Sequence, residues 1–202
     1  MSAIVERPGR EKRRQEILDA AFLEFSAKGY AGASMEAIAR RARASKETLY
    51  AWFENKETLL NTLFASRLEG IDSRVTAVAE NDPSPANVLP VIAEHAIRFM
   101  LAMTPLRVAM GPCGPDDRVS RMLGRTIREE RRKFVDYILW CRAEGVIAFD
   151  DDPFEIASLF VAMAVGEWGQ RLDTGTLDDL TDEMIKDHAQ RVTRIFLKGL
   201  AP

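Results

Sequence analysis

Cysteine and histidine are nearly missing: the 202 residues hold two of each. Cys113 and Cys141 are too few for a disulfide framework and do not sit at metal-ligand spacing. His95 and His188 give a zinc site almost nothing to be made from. No apolar run looks long enough to span a bilayer, and the charged N-terminus lacks the apolar stretch of a signal peptide. A cytoplasmic protein with no membrane partner is therefore expected. Strand-like alternation, a Gly-rich phosphate loop, paired carboxylates and a nucleophile with its base are lacking too. These absences argue against an enzyme, and neither a metal nor another cofactor is expected.

What is present is apolar periodicity at helical spacing along nearly the whole chain. The hydrophobic fraction of 47% and charged fraction of 29% are those of a globular protein. A formal net charge of −3 argues at first against nucleic acid, but its distribution does not. Residues 1–60 carry 11 Lys+Arg against 9 Asp+Glu, and the remainder 17 against 22. A mildly basic head on an acidic body suits a protein that meets a polyanion at one end only.

The most informative stretch runs from Ser34 to Lys56. Met35, Ile38, Ala39 and Ala42 form one apolar stripe behind Ser34, a good N-cap, with Glu36 in the first turn where the helix dipole favours an acid. Arg43 and Ala44 interrupt it. Ser45 caps a second short helix, with Leu49 and Phe53 facing inward. Lys46, Glu47, Thr48 and Tyr50 are left outside. Two such helices joined by a tight turn have the geometry that enters a DNA major groove.

Ile17, Leu18, Ala20, Ala21, Phe25, Gly29, Tyr30, Ser34, Ile38, Ala39, Ala42, Ser45, Leu49, Tyr50, Phe53, Lys56 and Leu59 fall in one register. With them, residues 15–60 resemble the DNA-binding region of the tetracycline-repressor (TetR) family of bacterial regulators. The resemblance covers about a quarter of the chain. It implies an N-terminal three-helix head, residues 1–55, on a helical effector-binding and dimerisation body, residues 56–202. It departs at Arg43, where the family often has glycine; a positive φ there costs Arg ~1 kcal/mol relative to Gly.

Roles in the head follow from chemistry. Ser34 presents N–H groups and a hydroxyl to a phosphate. Ser45 caps the reading helix. Lys46, Thr48 and Tyr50 suit backbone and base-edge contacts, and Ala51 is small enough to meet a thymine methyl. Glu47 faces solvent or accepts from a cytosine amino group. Trp52 reads as a packing residue. Lys56 resembles the family's phosphate-anchoring lysine. Arg10, Lys12, Arg13 and Arg14 form a solvated helix end or reach flanking phosphates; Arg40 and Arg41 pose the same choice.

The body predicts about six further helices, some nine in all, in an all-α fold. The first, to about Glu80, is a rod of ~37 Å whose tilt would move the head. The next ends near Met103, with Pro90 in its first turn or at a kink. Thr104 to Asp117 reads as a loose segment around a short helical piece. Helices over about 116–144 and from Asp152-Pro153 follow, then a last one from about Leu177 to Leu200. Phe64, His95, Phe99, Met103, Met110, Phe134, Tyr137, Ile138, Cys141 and Phe160 are candidates for an apolar effector pocket, with core packing the plainer reading of each. The helix after Pro153 is apolar nearly all round, which asks for cover by a second subunit. Ile156, Phe160, Met163, Ala164, Trp168, Met184, His188, Val192, Ile195 and Phe196 are the expected dimer interface. The expected function is a dimeric transcriptional regulator, a repressor, on a near-palindromic double-stranded operator and released by a small-molecule effector. The alternative is a switch by a protein partner or by oxidation of Cys113 or Cys141.

Overall fold

The computed structural model describes residues 8–111, 118–173 and 180–202. These form eight α-helices and no strand: α1 (Pro8–Gly32), α2 (Met35–Arg41), α3 (Lys46–Phe53), α4 (Lys56–Asn81), α5 (Pro85–Met110), α6 (Arg118–Ala143), α7 (Pro153–Asp173) and α8 (Asp182–Gly199). The all-α class is as the periodicity requires. Of the segment 104–117, expected to hold a short helical piece, residues 104–110 are the end of α5, and residues 112–117 lie outside the described ones. A proline inside a helix costs ~3 kcal/mol, yet α5 runs through Pro105, and Leu106 just beyond it is fully buried. Pro90 is likewise internal, with Pro85 as the first helical residue. By length and composition alone α5 would cross a membrane, contrary to expectation, but Val88, Leu89, Ala93 and Ile97 are fully buried in the protein.

Two compact units divide the chain. The first takes residues up to Arg67 together with Met103–Thr126; the second takes Leu68–Ala102 with Ile127–Pro202. The first unit thus extends past residue 55 into the start of α4. Leu59, Leu60 and Leu63 are fully buried, and α1 holds the start of α4 through Arg67 on Asp19 (2.8 Å) and Ser66 on Gln15 (3.2 Å).

In the first unit, Ile17, Leu18, Phe25, Ile38, Leu49 and Phe53 make the core. Gly29 breaks α1 at φ 67°, ψ 174°, as a glycine stop should, and one further turn follows to Gly32. A Cβ at Gly29 would stand 2.6 Å from the Ala109 carbonyl oxygen, so α5 closes against bare backbone.

In the second unit, Phe134, Phe160 and Phe196 meet edge to face at 5.5 and 4.9 Å, packed with Val88, Ile138, Cys141 and Val192. Asp152 caps α7 as expected, accepting from the N–H groups of Phe154 (2.7 Å) and Glu155 (3.2 Å). The last helix begins at Asp182, not near Leu177, because Thr181 supplies the cap. Residues 177–179 lie outside the described ones, as does Cys113.

Candidate nucleic-acid interface

Two serines start the two helices of the motif. Ser34 sits in extended backbone, and its hydroxyl accepts from the Ala37 N–H at 3.2 Å. Ser45 does the same for α3, accepting from the Thr48 N–H at 3.1 Å, with the Ser45 and Thr48 hydroxyls 3.0 Å apart. Each cap satisfies a donor the helix start would leave orphaned. Both oxygens named as phosphate or cap residues therefore serve the backbone first.

The turn between them closes as a Schellman motif. The Ala44 N–H reaches the Ala39 carbonyl (2.9 Å) and the Arg43 N–H the Arg40 carbonyl (3.2 Å), with Arg43 left-handed at φ 51°. Arg13 fastens this turn to α1, donating to the carbonyls of Ala42 (2.9 Å) and Arg43 (2.7 Å) while pairing with Glu16. So held, α3 buries Leu49 and Phe53 and leaves Lys46, Glu47, Tyr50 and Ala51 exposed, Tyr50 by 45%. Thr48 is half-buried, and Trp52 packs beneath Arg10 at 5.7 Å.

Most of the head's cations are already engaged. Glu24 is only 2% exposed and receives Lys28 (2.6 Å) and Arg41 (3.2 Å). The Lys28 contact, ahead of that of Arg41, holds its carboxyl below the ordinary range against the opposing effect of burial. The Glu24–Lys28 spacing was readable in the sequence; the arrival of Arg41 from α2 was not. Lys56 is engaged within the head. Its Nζ donates to the carbonyls of Tyr30 (2.6 Å) and Ala33 (2.9 Å) and lies 4.4 Å from the centre of the Tyr30 ring. Both carbonyls lie beyond the break at Gly29, where α1 ends, and an ammonium meets them there. In this arrangement it ties the end of α1 to the start of α4.

Lys46 pairs with Glu36 at 3.2 Å, both more than half exposed. Such a pair is weak and gives way to a phosphate at little cost. Glu36 is held below the usual carboxylate range by its own backbone N–H and then by Lys46; Glu47 by its own N–H and then by the Ser45 hydroxyl. Both remain anionic at neutral pH, so the reading face mixes acid, base and aromatic.

Residues 17–63 match the family model described as bacterial regulatory proteins, tetR family. The chain carries a TetR-family head. Over 92 residues it is 42% identical to the transcriptional repressor KstR of Rhodococcus jostii, a match spanning 45% of this chain and 42% of that protein. It is 44% identical over 59 residues to the repressor SCO4008 of Streptomyces coelicolor, 29% of each chain. The chain thus spans less than half the length of the curated relatives it matches. The solved structure of the flavonoid-responsive regulator FrrA is 26% identical with a TM-score of 0.66, covering 95% of this chain and 98% of that one. A fatty acid degradation regulator, FadR of Bacillus halodurans, reaches a TM-score of 0.75 at 15% identity, covering 92% and 98%; it is a likeness of fold alone.

Beyond this TetR-family head, the other expected sites fare unevenly. Of the candidate pocket residues, Phe134, Ile138, Cys141 and Phe160 belong to one packed core cluster. Burial pushes the Cys141 thiol up, so it is no ready thiolate; the Tyr137 hydroxyl, 2.7 Å from the Pro83 carbonyl, is pushed up by the same cause. His95 and Phe99 stack at 6.4 Å and are half-buried. Phe64, Met103 and Met110 belong to the first unit, not the second. The expected dimer set divides by exposure. Ile156, Phe160, Ala164, Trp168, His188, Val192 and Phe196 are buried within the protomer, and a covered side chain has no surface to share. Met184 is half-buried. Met163 and Ile195 remain exposed, joined by Leu159, which the sequence reading missed.

Proposed function

We propose that the protein is a cytoplasmic, DNA-binding transcriptional repressor that acts as a homodimer and is released by a small-molecule effector. The observation that carries this reading is α3 itself: capped by Ser45, pinned inward by Leu49 and Phe53, and presenting Lys46, Glu47, Tyr50 and Ala51 together. A recognition helix in that setting lies in the major groove with its N-terminal residues at the base edges. Two heads would engage half-sites ~34–36 Å apart on a near-palindromic operator.

Leu159 (57% exposed) and Met163 on α7, with Ile195 (52%) on α8, support a second copy as their cover. Ala162 and Gly166, exposed between them, let backbones approach closely. The likeness to a flavonoid-responsive regulator supports a flat, mainly apolar effector, with His95, Phe99 and Tyr137 the residues to test. Such a ligand acts only if it binds the released state better than the DNA-bound one. Binding of the protein to a duplex selected from a randomised pool tests the reading. Lys46→Ala and Tyr50→Ala should weaken it while leaving the dimer intact, and affinity should fall steeply with salt as phosphate contacts release counterions. A flat salt response overturns it.

A further inference from the structure

Among the described residues, five have left-handed backbone: Gly29, Gly111, Gly145, Arg43 and Glu54. The three glycines sit at or near the ends of α1, α5 and α6. The two others flank α3. The contrast is sharpest between two copies of one motif. At the end of α6, the Val146 N–H reaches the Cys141 carbonyl (3.0 Å) and the Gly145 N–H that of Arg142 (3.0 Å), and glycine takes φ 69°. At the end of α2 the same pair of bonds closes around Arg43 at φ 51°. Glycine is the residue that adopts this conformation freely. Where the same turn carries arginine instead, what is gained is the side chain, and backbone strain of this sort gathers at functional sites.

That side chain is free. The Arg43 guanidinium is exposed and makes no ion pair with a described residue, whereas Arg13, Lys28, Arg41, Lys46 and Lys56 are all engaged. Its position is set by the backbone: its carbonyl is held by Arg13 at 2.7 Å, and it lies two residues before the Ser45 cap. In a helix-turn-helix the start of the second helix enters the groove, so this turn stands at the rim where the phosphates run.

We propose that Arg43 is a phosphate-contacting residue, its left-handed turn holding a free guanidinium against the DNA backbone beside the groove that α3 enters. The inference rests on the DNA-binding reading above. It assigns Arg43 affinity and register, not base choice.

The test compares full-length protein with Arg43→Gly and Arg43→Lys on two fluorescent duplexes. One is a mixed-sequence duplex of roughly 30 base pairs, the other a duplex selected by the parent protein. Arg43→Gly should melt ~2–4 °C higher, because the strain is relieved, and yet bind both duplexes roughly threefold to tenfold more weakly. Its log-affinity against log-salt slope should fall by about one. Arg43→Lys should keep the parent slope. Equal affinity and slope in Arg43→Gly overturn the proposal, and so does a loss of affinity that comes with a lower melting temperature. If the parent binds neither duplex, the DNA-binding reading fails first, which is a separate outcome.

Discussion

In the unit that carries α1 to α3, polar devices fix the geometry at named points: two serine caps, Arg13 on the turn, Lys28 and Arg41 on Glu24, and Lys56 on the carbonyls beyond Gly29. In the unit built from most of α5 to α8, aromatic and aliphatic packing around Phe160 takes that place. The difference has a consequence for function. Charge and hydrogen bonds are directional, so they can hold a short helix of eight residues in one attitude for base-edge contact. Apolar packing is adaptable and suits a region proposed to admit a ligand and a second subunit.

Substitutions can break or sharpen this contrast. The largest effect belongs to the apolar unit: Phe160→Ala should cost about 3–5 kcal/mol of unfolding free energy in denaturant, while the folded fraction still binds duplex. In the head, Gly29→Ala should cost about 2–4 kcal/mol, since it forces a left-handed φ and sets a methyl against the Ala109 carbonyl. Unlike Phe160→Ala, it should lower DNA affinity at temperatures where the protein remains folded. Glu24→Gln should cost about 1–3 kcal/mol at neutral pH. Because the folded-state pKa of Glu24 is depressed, its contribution is present above the ordinary glutamate range and is lost as pH falls through the lower folded value. An acid titration followed by circular dichroism should show that loss in the parent and not in the variant. Tyr50→Ala and Lys46→Ala should reduce affinity for the selected duplex by roughly tenfold each and leave melting within about 1 °C, because both side chains are exposed. Smallest of all, Cys141 should resist a thiol reagent in native protein at pH near 8 and react once the chain is unfolded.

The head was legible because its signals are local. Ser34 and Ser45 announce caps, and Leu49 and Phe53 share a face at a spacing of four. What stayed hidden in the same stretch was tertiary: nothing in the string says that Lys56 would turn to the end of α1, or that Arg13 would cross to the turn at Arg43. In the body, helices were readable but their ends were not, since Pro105 looks like a terminator until Leu106 is seen to be buried. The choice of interface was harder still. α7 is apolar on nearly every side, so periodicity cannot separate Phe160, which faces its own core, from Leu159, which faces out.

Footprinting of the parent protein on its selected duplex tests the central claim most directly. The account predicts two protected segments centred one helical turn apart, both lost when Tyr50 becomes alanine. A single segment, continuous protection without a repeat, or a pattern that Tyr50→Ala leaves unchanged would contradict it.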